Sequence, residues 1–448
     1  MGKGGNSKAA APAAQTEKEV LINGNLYDVS NFKHPGGSVI KFLTNGGDAT
    51  EAYVEFHGRS KKADYVLKAL PHRPAPKETM KERGFNGHEA LSKDYAILRK
   101  QLEEEGFFDP APGHVAFRVA EVVAMHVVGA YLFMCGSTVP VQTAGLFILG
   151  IVSGRCGWLM HEGGHYSLTG HIPTDRMLQI AIYGIGCGMS AAWWRNQHNK
   201  HHATPQKLKH DVDLDTLPLI AFNAEVAKKA RSPMLKLWLK YQALLFTPIS
   251  CLLVATGWQY YLHPRHIMRT KRQHTEGAAL LVRHLLFYGV ICHGMTWTQS
   301  LACYTAYNMI AASYIFSQFA LSHSHLDVSA PDEFLHWVEY AADHTINVHG
   351  GSWLGTKFVD WWMAYLNYQI EHHLFPGMPQ FRHPIVSQRV QVLFAKHGIK
   401  YDNRLYSSAC YDTWYNLHKV GNPSVETQKA WKAEREAYKA AQAAKKTE

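Results

Sequence analysis

Two long apolar runs stand out from an otherwise mixed pattern, Phe117–Cys135 and Val139–Met160. Each is long enough to cover ~30 Å of hydrocarbon at ~1.5 Å per helical residue. Only Gly136-Ser137-Thr138 joins them, which predicts a helical hairpin. Three more apolar stretches follow: Tyr241–Leu262, Ala279–Trp297 and Leu301–Leu321. The basic segment from His263 to Arg272 belongs on the cytosolic side by the positive-inside rule. Tyr241–Leu262 would then have both ends on that side and is expected to be interfacial or re-entrant. Glycine-rich Met177–Trp194 is likewise expected to lie in the interface. Ala279–Trp297 and Leu301–Leu321 become the second hairpin. The pattern predicts four spans in two hairpins, with both termini cytosolic.

The polar flanks divide the rest. Residues 1–18, rich in Gly, Ala and Lys, read as a disordered tail. Residues 19–75 read as a small α+β module, with strand-like Val20–Ile22 and Leu26–Val29, then a turn at His34-Pro35-Gly36-Gly37 opening a helix. Residues 76–110, charged and Lys/Glu-rich, read as a linker. Residues 111–400 form an all-α membrane domain with cytosolic cap and interfacial helices, and 401–448 a cytosolic tail. The seven cysteines have no metal-site spacing, and read as reduced thiols, Cys156 and Cys187 in or near apolar segments. A net charge of +10 without a basic recognition helix or zinc-finger spacing points to anionic lipid, not nucleic acid.

Of 28 histidines, seven fall in three clusters: His161-Glu-Gly-Gly-His165, His198-Asn-Lys-His201-His202 and Gln369-Ile-Glu-His372-His373. Spacings of three and four put imidazoles on one side of a helix. Seven exceed the four ligands of one zinc and suit two ions side by side. Nitrogen-rich sites with open positions favour iron where the chemistry uses oxygen. The first cluster also fits the HExxH pattern of zinc proteases, which accounts for neither the other clusters nor the N-terminal module. At the end of the last span, His323 is a further candidate ligand, with His325 in reserve. Asp211, Asp213 and Asp215 read as a solvated acidic loop. His263, His266, His344 and His349 read as surface residues, and Trp193, Trp194, Trp361 and Trp362 as an interfacial belt. In the module, His34 and His57 can clamp a haem iron from both faces, which moves electrons without binding oxygen.

The string Leu26-Tyr-Asp-Val-Ser-Asn-Phe-Lys-His-Pro-Gly-Gly-Ser38, with Asp48-Ala-Thr50 and Phe56-His57, closely resembles cytochrome b5. That resemblance covers about residues 20–75 and implies the b5 fold, with haem b held by His34 and His57. The three histidine strings resemble those of membrane fatty-acid desaturases. Gln369, in place of the first histidine of the third box, narrows the resemblance to front-end desaturases, which carry a fused b5 domain. Gly154-Arg-Cys-Gly-Trp158, His198-Asn-Lys-His-His-Ala-Thr-Pro205 and His210-Asp-Val-Asp-Leu-Asp-Thr216 are most similar to algal and thraustochytrid delta-5 and delta-6 enzymes. The first box departs from the commoner pattern in its Glu-Gly-Gly middle, but spacing i,i+4 still keeps both histidines on one face.

The resemblance implies an O2-dependent desaturase with two iron ions held by His161, His165, His198, His201, His202, His372 and His373, and Gln369 in the site. It inserts a cis double bond between the carboxyl end and an existing double bond of a C18–C20 polyunsaturated chain, delta-5 ahead of delta-6. The chain, carried by CoA or phospholipid, lies in an apolar tunnel. Electrons come from NADH through a separate cytochrome b5 reductase. A sphingolipid long-chain-base desaturase of the same architecture is the alternative, and a membrane metalloprotease a remote one. Lys445-Lys446-Thr447-Glu448 resembles an ER-retrieval signal, so the expected site is the ER membrane with the active site cytosolic.

Overall fold

The structure, a computed structural model, describes residues 18–44, 46–82, 87–214, 216–270, 274–434 and 436. The tail up to residue 17, Asp215, Lys271-Arg272 and Lys445-Lys446 lie outside the described residues.

The N-terminal module is α+β, as expected. Strands β1 (Glu19–Ile22) and β2 (Asn25–Asp28) form a hairpin with Val20 opposite Tyr27. Asn23 and Gly24 turn it at φ 49° and 71°, the left-handed pair that a two-residue hairpin needs. Strand β3 (His72–Pro74) pairs with β2. Val20, Ile22, Tyr27 and Val29 pack with Ala49, Ile40 and Leu67, beneath helices α1 (Thr50–His57) and α2 (Lys61–Ala69).

The segment expected to be a linker does more than connect. Its helix α3 (Glu89–Glu104) buries Leu91, Tyr95, Leu98 and Leu102, a spacing of three and four that makes one apolar stripe. The stripe packs against Trp337, Ile370, Phe375 and Phe394. Charges on the other faces mask this periodicity in the composition.

Helices α4 (Pro112–Cys135) and α5 (Val139–Gly164) form the expected hairpin. They close tightly because Gly145 has no side chain: a Cβ there would lie 2.4 Å from the Phe133 amide nitrogen. In their apolar windows α5 is 72% buried and α4 only 17%, so α5 is the central post and α4 an outer face. Met177–Trp194 is not one interfacial helix. Helix α6 (Ile172–Ala181) runs through wide turns to Cys187, and the chain breaks at Gly188 before α7 (Ala191–Ala203). Tyr183, Gly184, Gly186 and Cys187 are buried, because the glycines let backbone approach Ala279 and Cys156.

The span assignment also changes. By length and composition, three described helices can cross a membrane: α4, α5 and α8 (Gln242–Arg269). The stretch Tyr241–Leu262, set aside on charge, therefore lies, from Gln242 on, within a 28-residue apolar helix. The expected second hairpin is present as a pair of helices, α9 (His274–His284), extended to Ile291, and α10 (Trp297–His323), but neither is among the three that length and composition mark as able to cross. Trp297 opens α10 instead of closing the span before it, since Thr296 and Gln299 form a capping box there. Phe287 packs on Tyr304 across the pair, ring centroids 5.0 Å apart.

The C-terminal region carries β4 (Asn347–His349), α11 (Gln369–Leu374), α12 (His383–Lys396), β5 (Asn403–Leu405) and α13 (Tyr406–Gly421). Residues 401–421, expected to be tail, belong to the fold: β5 pairs parallel to β4, and Ala409 of α13 packs with Leu321 and Val348. All seven cysteines are free.

Candidate metal centre

Four helix ends converge on one point. The C-terminal end of α5 and the residue after it supply His161 and His165, α7 supplies His198, His201 and His202, α11 supplies His372 and His373, and α10 ends on His323. Helix α7 is aimed by its N-terminus. Ser190 caps the Trp193 amide at 3.1 Å, while buried Glu276 accepts from Ser190 Oγ at 2.5 Å and from the Ala192 amide at 2.8 Å. A carboxylate suits that end of a helix, where the amides and the dipole are positive. Helix α11 is held through Glu371, which accepts from Asn347 Nδ2 and Tyr401 Oη, both at 2.7 Å.

Among the described residues the imidazoles fall into two groups. His161, His165, His198, His202 and His372 bring ligand nitrogens within 4.8 Å of one another, and so do His201, His323 and His373. The groups adjoin, with the rings of His202 and His373 stacked at 4.2 Å. Gln369 belongs to the second group, its Oε1 3.2 Å from His323 Nε2. His325 does not join either: its Nε2 faces Arg404 Nη1 at 3.0 Å.

The donor set fits metal cations. The Nε2 atoms of His165 and His198, His198 and His202, and His202 and His372 lie 3.0 Å apart. A neutral imidazole has one N–H and one lone pair, so a converging set of nitrogens is best satisfied by a cation. Burial first, then the neighbouring imidazoles, pushes His198, His202, His372 and His373 well below the ordinary histidine value. They are neutral, the form that binds metal. Outward-facing nitrogens have the partners ligand histidines need. His161 Nδ1 donates to the Gln380 amide oxygen at 2.6 Å, His201 Nδ1 to Asp211 Oδ2 at 2.9 Å, and His323 Nδ1 to the His344 carbonyl at 2.9 Å. Burial opposes charge on His201 as well, but Asp211 outweighs it and raises the ring to about 9.

Several expected surface groups are therefore part of the centre. Asp211 is 3% exposed and orients His201; of the acidic loop only Asp213 is exposed among the described residues. His344 is buried behind His323, and His263 is buried and accepts from the Ser190 amide at 3.1 Å. His266 and His349 are half-buried. Trp194 stacks on His198 at 4.2 Å rather than lying in a belt. Trp361 covers the Arg155 guanidinium at 4.4 Å, and Trp362 packs on Tyr314. Gln380 and His383, the latter buried with its ring 6.0 Å from His372, have no cluster spacing, and no pattern in the sequence singles them out. The chain brings them in only by turning after Pro379.

A cavity of about 560 Å³ opens beside these histidines, within the range of small-molecule sites. Trp193, Trp194, Trp258, Ile315, Phe316 and Phe319 make its walls mainly apolar.

In the module, the rings of His34 and His57 stand 5.9 Å apart. His57 Nδ1 donates to the Tyr53 carbonyl at 3.0 Å, which leaves Nε2 free as a ligand, so the pair fits bis-histidine haem binding. The loop carrying His34 rests on the second histidine helix: a Cβ on Gly37 would lie 3.4 Å from Asn196 Oδ1, and Phe42 stacks on His210 at 4.7 Å. Buried Glu55 secures the other side, accepting from Tyr95 Oη and Arg99 Nε, both at 2.9 Å.

Comparison with known proteins agrees with this architecture. Residues 137–404 match the family model "Fatty acid desaturase". The chain belongs to the fatty acid desaturase family. Residues 12–97 match "Cytochrome b5-like Heme/Steroid binding domain", so this desaturase is an oxidoreductase of the front-end, b5-fusion type. It is 54% identical to an acyl-lipid (8-3)-desaturase of Rebecca salina, over 93% of this chain and 97% of that protein. It is 47% identical to an acyl-lipid (8-3)-desaturase of a Thraustochytrium species, over 94% and 98%. An acyl-lipid (9-3)-desaturase of Physcomitrium patens is 27% identical over 91% of this chain and 76% of its own length. The b5 domain implies haem and the desaturase domain iron, and the apolar helices agree with a membrane protein. A membrane metalloprotease is set aside by these matches.

Proposed function

We propose that this desaturase inserts a cis double bond on the carboxyl side of an existing one in a C20 polyunsaturated acyl chain, at carbon 5, with carbon 6 of a C18 chain next. The observation that carries the reading is the pair of adjoining histidine groups opening on one apolar cavity. Two of the relatives carry the designation (8-3); insertion at carbon 5 of a chain whose first double bond is at carbon 8 would satisfy both numbers.

In this reading His161, His165, His198, His202 and His372 hold one iron, and His201, His323 and His373 the other, with Gln369 beside His323. Alkyl C–H bonds have no usable acidity, and bound iron with O2 supplies the oxidising chemistry that side chains lack. The chain's own residues do the rest. Trp193, Trp194, Ile315 and Phe319 exclude water and hold the acyl chain against the histidines. Asp211, Gln380 and the His344 carbonyl keep the imidazoles turned inward. His34 and His57 hold haem in a module whose loop rests two residues from His198, a short route for electrons from NADH through a separate b5 reductase. The same reading takes an even number of crossings between α7 and α11, which keeps the termini and the histidines on the cytosolic side of the ER membrane, and has the acyl chain carried by CoA or phospholipid.

Expression in yeast, with feeding of 18- and 20-carbon polyunsaturated acids, tests this. The expected result is a new double bond at carbon 5 of the 20-carbon chain. Products only at carbon 6 or 8 would overturn the position, and no new bond in any of them the front-end reading. A low-spin haem spectrum in the purified protein should disappear in His34→Ala.

A further inference from the structure

One wall of the cavity is a single helix, and this gives the cavity a length. Asn308, Ala311, Ile315, Phe319 and His323 of α10 all line it, at the intervals of three and four that make one helix face. At ~1.5 Å per residue, Asn308 lies ~22 Å along the axis from His323.

The Asn308 end is closed by polar atoms with no freedom to yield. Arg283 of α9 is 3% exposed. It donates from Nη2 to Asn308 Oδ1 at 2.7 Å, from Nε to Tyr304 Oη at 3.0 Å, and from Nη1 to the Gly186 carbonyl at 2.5 Å. Tyr304 Oη donates to Gln259 Oε1 at 3.1 Å, and Gln259 Nε2 to the Cys187 carbonyl at 2.6 Å. Ser153 Oγ of α5 also donates to the Gly186 carbonyl, at 2.7 Å. One guanidinium thus ties α5, the 182–187 turns, α8, α9 and α10 together through neutral oxygens. A buried cation that loses such partners is costly, so the cluster cannot part to admit more of a chain.

We propose that this cluster is the floor of the acyl cavity and that Asn308 is a specificity-determining residue, setting how many carbons fit between the histidines and the methyl end. The proposal rests on the acyl-desaturase reading above and adds a ruler to it. An extended chain advances ~1.2 Å per bond, as three bonds of extended backbone cover ~3.6 Å, and each cis double bond of a polyunsaturated chain shortens that advance. Van der Waals contact takes ~4 Å at the floor. The remaining ~18 Å matches the methyl-side segment of such an acyl chain in scale, and the floor sorts chains by relative length, the longer chain meeting it first.

The test is the full-length chain in yeast fed 18-, 20- and 22-carbon polyunsaturated acids, with product ratios read by gas chromatography. Ala311→Phe raises the floor by one turn and is expected to lower 20-carbon conversion relative to 18-carbon on the order of tenfold, the worth of a methylene or more in an apolar site. Ala311→Leu, a smaller block, gives an intermediate ratio. Asn308→Ala lowers the floor and raises 22-carbon conversion relative to 20-carbon. Haem absorbance and iron content of the purified variants report folding separately from activity. Ratios within twofold of the parent in Ala311→Leu and Asn308→Ala, with haem and iron retained, would overturn the proposal. A parent protein that desaturates none of the acids instead rejects the underlying reading.

Discussion

Replacing Asp211 by asparagine changes one atom and leaves the shape of the site intact. Asp211 Oδ2 accepts from His201 Nδ1 at 2.9 Å and from the Gln206 amide at 2.8 Å, while Oδ1 accepts from the Asp213 amide at 2.9 Å. Asparagine has one acceptor oxygen. Turned toward His201, it opposes an NH2 to the Asp213 amide; turned the other way, it opposes that NH2 to two donors. The smaller loss is one buried N–H without a partner, ~1–3 kcal/mol. His201 also loses the charge that fixes which nitrogen carries its proton. Orienting partners of metal-binding histidines are worth roughly 10–100-fold in metal affinity or activity, which is ~1.4–2.8 kcal/mol. The two routes agree. The assay is iron per chain in purified protein across a chelator titration, with haem content as the internal control because its ligands lie in the separate module. Asp211→Asn should release iron at a 10-fold or lower chelator concentration with haem unchanged. Iron retention equal to the parent's would refute the role of Asp211, and with it the assignment of His201 to the second group.

His323→Ala should lower iron content and abolish product, while His325→Ala, whose ring faces Arg404, should leave iron content intact; equal iron loss in both would reject the choice between them. Tyr95→Phe removes the hydroxyl shared by Glu55 and the Leu374 carbonyl, a loss of ~1 kcal/mol that should lower the thermal midpoint followed by haem absorbance; an unchanged midpoint argues against this contact as the latch of the haem module. Burial pushes Glu371 up to about 7, against hydrogen bonds from Tyr401 and Asn347. A carboxyl whose folded value is raised contributes stability at acidic pH that is lost as pH rises from its ordinary value, near 4.5, through 7. Thermal midpoints in detergent should therefore fall over that window in the parent and less steeply in Glu371→Gln; parallel profiles would count against it.

Much of this protein can be read without coordinates, because its chemistry is local in sequence. Residues three and four apart on a helix are neighbours in any fold, so His161 and His165, or His198, His201 and His202, declare a shared face. The apolar hairpin at 117–160 and the turn at His34-Pro35-Gly36-Gly37 are equally local. Tertiary structure decided everything that depends on distant segments meeting. It divided the imidazoles into two groups, took His323 and left His325 facing Arg404, although both sit at the end of one helix. Asp211 became a partner of His201 rather than a solvated charge, and Gln380, 219 residues from His161, came to support it. The apolar stripe of α3 was legible as periodicity, but only its packing on Phe375 and Phe394 distinguishes a core helix from a linker. The floor at Asn308 lay furthest from view, because the buried Arg283 is held by partners from the 182–187 turns and α10, themselves tied to α5 and α8, and no one segment records the others.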